Sequence, residues 1–291
     1  MSRHTIRKGD LEATVESHGA QLVSLKRGGH EYLWQGDPTW WGGQAPILFP
    51  IVGTLRADRA VSGQGPIELK RHGLARLYDH VVLSQSENEV VFELLANEEM
   101  LDRYPYPFAL RMLYRLVDDG LVQTFEVENT GVAVMPFAVG GHPAFNVPIP
   151  GFKGSFEDHV LKFSRPWTYA TPWVDKDSGL IDYANSTQLV DDSDTLPLSR
   201  DLFEHDTCVL EDVPDGTISL VGPQGHGVRL DFPGLAFLGI WSPSDAPFVA
   251  IEPWAGIATR FDEDDVFEHK RNMQFAEPGE KKRYSFSIMP F

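Results

Sequence analysis

The chain has 291 residues, 42% hydrophobic and 23% charged, which suffices for a substantial core and is ordinary charge for a soluble globular protein. A formal net charge of −17 excludes the basic surface that nucleic acid or an anionic membrane requires, so neither is expected as a partner. Cys208 is the only cysteine, so no intramolecular disulfide forms. With no signal-peptide pattern near Met1 and no apolar run approaching the roughly 20 residues of a membrane span, a cytoplasmic location is expected.

From the N-terminus the pattern is that of strands. Leu11, Ala13 and Val15 alternate with polar residues, and Leu22–Leu25 runs into a Gly28-Gly29 turn before Tyr32-Leu33-Trp34. Val81–Leu83 and Val90–Leu94 flank a turn at Ser86-Glu87-Asn88, and Asn97–Arg103 reads as a short helix ended by a proline-rich stretch. Leu110, Met112, Tyr114 and Leu116 alternate up to Asp119-Gly120, and Leu121, Gln123, Phe125 and Val127 continue beyond it, a strong hairpin signal. Between Pro148 and Asp206 alternation weakens, and long irregular excursions are expected, with one helical turn at Leu202–His205. Ile218 and Leu220 pair with Val228, Leu230 and Phe232, and Tyr284, Phe286 and Ile288 form a closing strand. The expectation is one all-β domain over residues 1–291, a large antiparallel β-sandwich with few short helices.

Chemistry concentrates in three places. Glu252 stands inside the apolar run Phe248–Trp254, where a carboxylate is expensive to bury without a partner or a task. His142 lies in Gly140-Gly141-His142-Pro143, where the proline holds it on extended backbone and the glycines leave room for something to approach. His72 sits in Arg71-His72-Gly73. One carboxylate and two imidazoles supply a base, an acid and a donor, provided the fold unites them. The bland reading of each alone is a satisfied core or turn side chain.

Other chemistries find less support. No two histidines near these residues have metal-ligand spacing, and no metal or cofactor is expected. No Gly-x-Ser-x-Gly, GxGxxG or Walker-type loop occurs. Glu252 and Asp206 keep a glycosidase pair open on residue type alone.

Taken in order, Pro46–Gly53, Arg71–Arg76, Gly141–Phe145 and Ile251–Gly256 resemble the aldose 1-epimerase (galactose mutarotase-like) superfamily, nearest its LacX-like branch. The resemblance implies a β-sandwich enzyme that interconverts the α and β anomers of an aldose without a cofactor. It implies Glu252 as general base, His142 as general acid, and His72, Arg76 and Asp206 as sugar-binding groups. Thr54 stands where LacX-like relatives tend to carry an arginine, and Arg56, two positions on, is expected to take over. Trp40, Trp41, Trp241 and Trp254 offer faces for stacking on a sugar, or core packing. Arg56–Arg76 holds five cations (Arg56, Arg59, Lys70, Arg71, Arg76) against Asp58 and Glu68, a local +3 that suits either a solvated face or a hexose phosphate. The alternative to an enzyme is a non-catalytic carbohydrate-binding or sensing protein. Oligomeric state is not written in the alternation pattern.

Overall fold

A computed structural model describes residues 1–151 and 153–291. Antiparallel strands dominate it, as expected. One sheet of nine strands runs in the order Ile181–Pro197, Val160–Val174, Thr217–Val221, Gly227–Asp231, Lys281–Pro290, Leu121–Asn129, Phe108–Leu116, Glu89–Leu95, Val81–Gln85. A six-stranded sheet runs Cys208–Glu211, Phe237–Trp241, Phe248–Ala255, Val139–Gly141, Ile47–Leu48, with Ala144–Asn146 also pairing Phe248–Ala255. An N-terminal four-stranded sheet begins at Arg3–Lys8 and ends at His30–Glu31.

Alternation explains the layers. Leu110, Met112, Tyr114 and Leu116 all point into the core, while Arg111 faces outward onto Glu93, Glu126 and Glu128. The hairpin at Asp119-Gly120 closes with Leu116 opposite Leu121 and holds its register to Phe108 opposite Asn129. Phe125, Phe286 and Ile288 of the nine-stranded sheet share one core with Val139, Leu238, Ile240 and Ile251 of the six-stranded sheet, which is sandwich packing. Buried hydroxyls are matched: Tyr114 donates to the Ala20 carbonyl at 2.6 Å and Tyr104 to the Pro136 carbonyl at 2.6 Å.

Two details differ from the sequence reading. The helix expected over Asn97–Arg103 is the single turn Glu98–Leu101, started by the Asn97 side chain, which accepts the Met100 N–H at 2.9 Å. Within the stretch expected to be irregular, residues 160–197 are not irregular excursions. They contain the two longest strands of the protein, 15 and 17 residues, paired as a hairpin. Most side chains in the middle of that hairpin are exposed and the pairing slips register four times, so no apolar alternation records it.

The strand Phe248–Ala255 is buried on both faces. Val249 and Ile251 enter the main core; Phe248, Ala250, Glu252 and Trp254 leave the opposite face. Onto that opposite face fold the segments bearing Trp41, Arg71-His72 and Asp206, and the tip of the long hairpin, so Glu252 lies at the bottom of a pocket.

Candidate active site

Glu252 is 2% exposed and sits directly across from Gly239. His142 follows the short strand Val139–Gly141 and is tied in place by its own N–H, which donates to the Pro46 carbonyl at 3.1 Å. Its Nε2 stands 3.2 Å from Oε1 of Glu252. The Trp41 indole stacks on the imidazole at a centroid distance of 4.8 Å, and Trp241 meets it edge-on at 5.8 Å. The two glycines before His142 serve packing, not ligand access. A Cβ at Gly140 would meet the Trp254 ring at 2.6 Å, and one at Gly141 the Phe286 ring at 2.7 Å.

His72 adopts a left-handed backbone, φ +67°, and so does Asp206, φ +63°. Residues held there commonly mark places where the surroundings impose a conformation for use. The loop of His72 is locked reciprocally to Gly53: His72 N–H donates to the Gly53 carbonyl at 2.8 Å, and Gly53 N–H donates to His72 Nδ1 at 3.2 Å. Because Nδ1 accepts, the neutral ring carries its proton on Nε2, leaving that nitrogen as a donor. The His72 and His142 rings meet edge to face at 5.5 Å.

Arg76 and Asp206 also line the pocket, as does Trp241. Arg76 donates to the Arg71 carbonyl at 3.0 Å, while its buried Nε has no partner. Asp206 accepts the Thr207 hydroxyl at 3.2 Å and lies 3.8 Å from the Arg71 guanidinium. Together these groups enclose about 290 Å³, at the small end of the roughly 300–1,000 Å³ usual for small-molecule sites.

Arg56 is not brought to this pocket. Ala57 and Asp58, both at positive φ, turn the chain away after buried Leu55, and Arg56 Nε donates to both carboxylate oxygens of Asp265 at 3.0 Å. Thr54 meanwhile donates to the Gly179 carbonyl at 3.0 Å. Besides that of Arg76, the guanidinium that does reach the pocket is that of Arg71, overlooked as a site residue although it adjoins His72 in the sequence; its neighbour Gly179 would place a Cβ 2.5 Å from it. Gly179, on the hairpin tip, carries no sequence signal that would have found it.

Electrostatics work against charge on the central groups. Burial, reinforced by Asp206, pushes the Glu252 carboxyl well above the usual carboxylate range, opposed by the Trp254 indole and Arg71. Burial, with Arg76 and Arg71 behind it, pushes His142 down to about 3. Burial likewise holds His72 well below the ordinary imidazole range, aided by His142, Arg76 and Arg71. A carboxyl acid and an imidazole base in contact form a pair that holds one shared proton. Among the described residues no group of three His, Cys, Asp or Glu side chains is placed to hold a metal ion.

A buried carboxyl and imidazole in contact, beside a second imidazole in one small pocket, lie on the face of a large antiparallel sandwich of the galactose mutarotase-like class. The chain belongs to the aldose 1-epimerase family, whose pattern it matches over residues 2–289. It is 37% identical over 290 residues to the protein LacX (plasmid) of Lactococcus lactis subsp. lactis, covering 96% of each chain. Among solved structures it resembles a galactose mutarotase related enzyme from Lactobacillus acidophilus, with 33% identity and a TM-score of 0.93 over 100% of this chain and 97% of that one. It also resembles a galactose mutarotase-like protein from Lactobacillus casei ATCC 334, with 29% identity and a TM-score of 0.89 over the whole of both chains. The family acts on carbohydrates as isomerases. No helix among the described residues is long and apolar enough to cross a membrane.

Proposed function

We propose that this protein interconverts the α and β anomers of an aldose by acid–base ring opening. The observation that carries the reading is the 3.2 Å contact between buried Glu252 and His142, two proton-transfer groups at the depth of one small pocket. A hemiacetal carbon bears its hydroxyl oxygen and its ring oxygen side by side, so two proton-transfer groups in contact suit the two oxygens.

In the forward step the pair reacts with its one proton moved across the 3.2 Å contact to His142: Glu252, so ionised, takes the proton of the C1 hydroxyl, the C1=O double bond forms, and the C1–O5 bond breaks. His142, protonated, gives its proton to O5. The aldehyde turns about C1–C2, and O5 attacks the other face of C1. O5 then returns its proton to His142, and Glu252 returns the first proton to O1. Each turnover ends with the pair holding the one proton it began with, so no oxidant, reductant or cofactor is needed. His72 Nε2–H and Arg76 donate to sugar oxygens, Asp206 accepts from a sugar hydroxyl, and Trp41 and Trp241 wall the site against water.

The lining favours a neutral aldose over a hexose phosphate. Of the five cations between Arg56 and Arg76, Lys70 pairs with Asp58 at 2.5 Å, Arg59 with Glu68 at 3.7 Å and Arg56 with Asp265. Arg71 and Arg76 remain for the pocket, with Asp206 beside Arg71. We place the activity in the cytoplasm.

Anomer exchange followed by NMR on a panel of neutral and 6-phosphorylated aldoses tests the reading. Acceleration by the wild type is expected, with kcat falling by about 10²–10⁴-fold in Glu252→Gln and in His142→Asn while the sugar still binds. Sugar binding without acceleration in the wild type would identify a binding or sensing protein instead. A kcat/KM highest for a 6-phosphate would overturn the neutral-substrate reading.

A further inference from the structure

Trp254 lines the pocket, yet its side chain is no platform for a sugar: the residue is 5% exposed and its indole lies between two glycines of the flanking strands. Gly140 is directly opposite Trp254 on one side, and Gly239 is opposite Glu252 on the other. A Cβ at Gly239 would stand 2.2 Å from the indole, and one at Gly140 2.6 Å. The sheet has thus been cleared of side chains on both sides to let a large ring lie across it.

The polar atom of that ring faces an unmet need. Glu252 and Trp254 are two apart on one strand, so their side chains leave the same face. Oε1 of Glu252 is engaged by His142 at 3.2 Å. Oε2 is buried without a hydrogen-bond partner, and so is Nε1 of Trp254. A carboxylate oxygen only accepts and an indole nitrogen only donates, and a buried polar atom left unpaired costs about 1–3 kcal/mol.

We propose that Trp254 is a positioning residue whose indole N–H, directed at Oε2, orients the Glu252 carboxyl and stabilises its ionised form. The proposal rests on the reading of Glu252 as the base. The N–H fixes one oxygen, which leaves the other to address His142 and the C1 hydroxyl. The pull of the indole toward ionisation opposes burial and the nearby Asp206. The other charged and titratable groups around Glu252 are His142 in contact with it and Arg71, with Arg76 and Arg71 acting on His142 and the His72 ring meeting the His142 ring at 5.5 Å. All of them are unchanged when only the indole is altered.

Two variants isolate the N–H. Trp254→Phe removes it with some loss of volume; replacing Trp254 by benzothienylalanine removes it with the ring shape kept, because sulfur stands in place of N–H. Glutamate labelled with ¹³C at the side-chain carboxyl is titrated by NMR without sugar, the Glu252 resonance being identified by its loss in Glu252→Gln. In both variants the Glu252 midpoint is expected to rise by about one pH unit, since the proposed interaction favours the charged form. The acid limb of kcat/KM is expected to move upward with it, with KM staying within about twofold. An unchanged midpoint in folded variants would overturn the proposal, as would an activity loss carried wholly by KM, the mark of a stacking surface. The NMR titration needs no turnover, so an inactive wild type would defeat the epimerase reading while the midpoint shift still decides the role of Trp254.

Discussion

Glu252 and His142 are in contact with burial opposing the charge of each, and that sets how the pair titrates. Adding a second proton leaves a buried cation, removing the only one leaves a buried anion, and the dry site resists both. The rate is therefore expected to follow a bell with a broad plateau. It falls in acid when the pair gains a second proton and in base when it loses its only one, with apparent pKa values belonging to the pair. A rate of anomer exchange that stayed constant through both limbs would exclude these two groups as the proton carriers. At this scale the sequence was informative where a residue was costly for its surroundings. Glu252 in an apolar run and His142 before a proline both stood out. Arg56 and Arg71 were not separable in the same way, because direction of a side chain from a turn depends on φ values such as those of Ala57 and Asp58.

Strands and turns hold these groups by close approach of backbones. Gly73 follows His72 at φ +73°, and a Cβ there would stand 2.4 Å from the Phe49 carbonyl oxygen. Gly73→Ala therefore combines left-handed strain with a backbone clash and is expected to cost about 2–3 kcal/mol. Because Leu74 N–H donates to that same Phe49 carbonyl, at 2.7 Å, the loop carrying His72 shifts as well, and sugar affinity should fall. Urea denaturation and a binding titration of the variant check both; unchanged stability would show that the loop relaxes freely. The hairpin Leu110–Val127 was legible because one face is core and the other is water. The long hairpin of Val160–Val174 and Ile181–Pro197 was not, since exposure on both faces erases the period of two. That hairpin nevertheless carries Val174, Gly179 and Ile181 to the pocket.

For the molecule as a whole, buried neutral histidines make acid destabilising. His80 is 3% exposed, its ring nitrogen Nε2 donates to the Ala75 carbonyl at 3.0 Å, and burial depresses it to about 4. Its stabilising effect is complete above the unfolded value near 6.5 and is lost progressively as pH falls from there to about 4. His159, lowered chiefly by burial, acts in the same direction. Glu128, lowered chiefly by its bond from Arg111, adds a loss at still lower pH. Glu252 has the opposite sign: its raised carboxyl favours the fold below 4.5 and disfavours it as pH rises. Unfolding free energy measured in urea is expected to drop by about 2–3 kcal/mol from His80 between pH 7.5 and 4.5, and His80→Gln should flatten that slope. An equal slope in the variant would assign the acid sensitivity elsewhere. The strand-rich class, the core faces of the regular hairpins and the standing of Glu252, His142 and His72 as the unusual polar residues were all readable from the chain, because periodicity and burial cost are local properties. Folding was needed to show that these three meet, that Arg71 and not Arg56 reaches them, and that Gly140 and Gly239 make room for Trp254. Those outcomes depend on which strands are neighbours and where turns point, and such distances between remote segments leave no period in the chain.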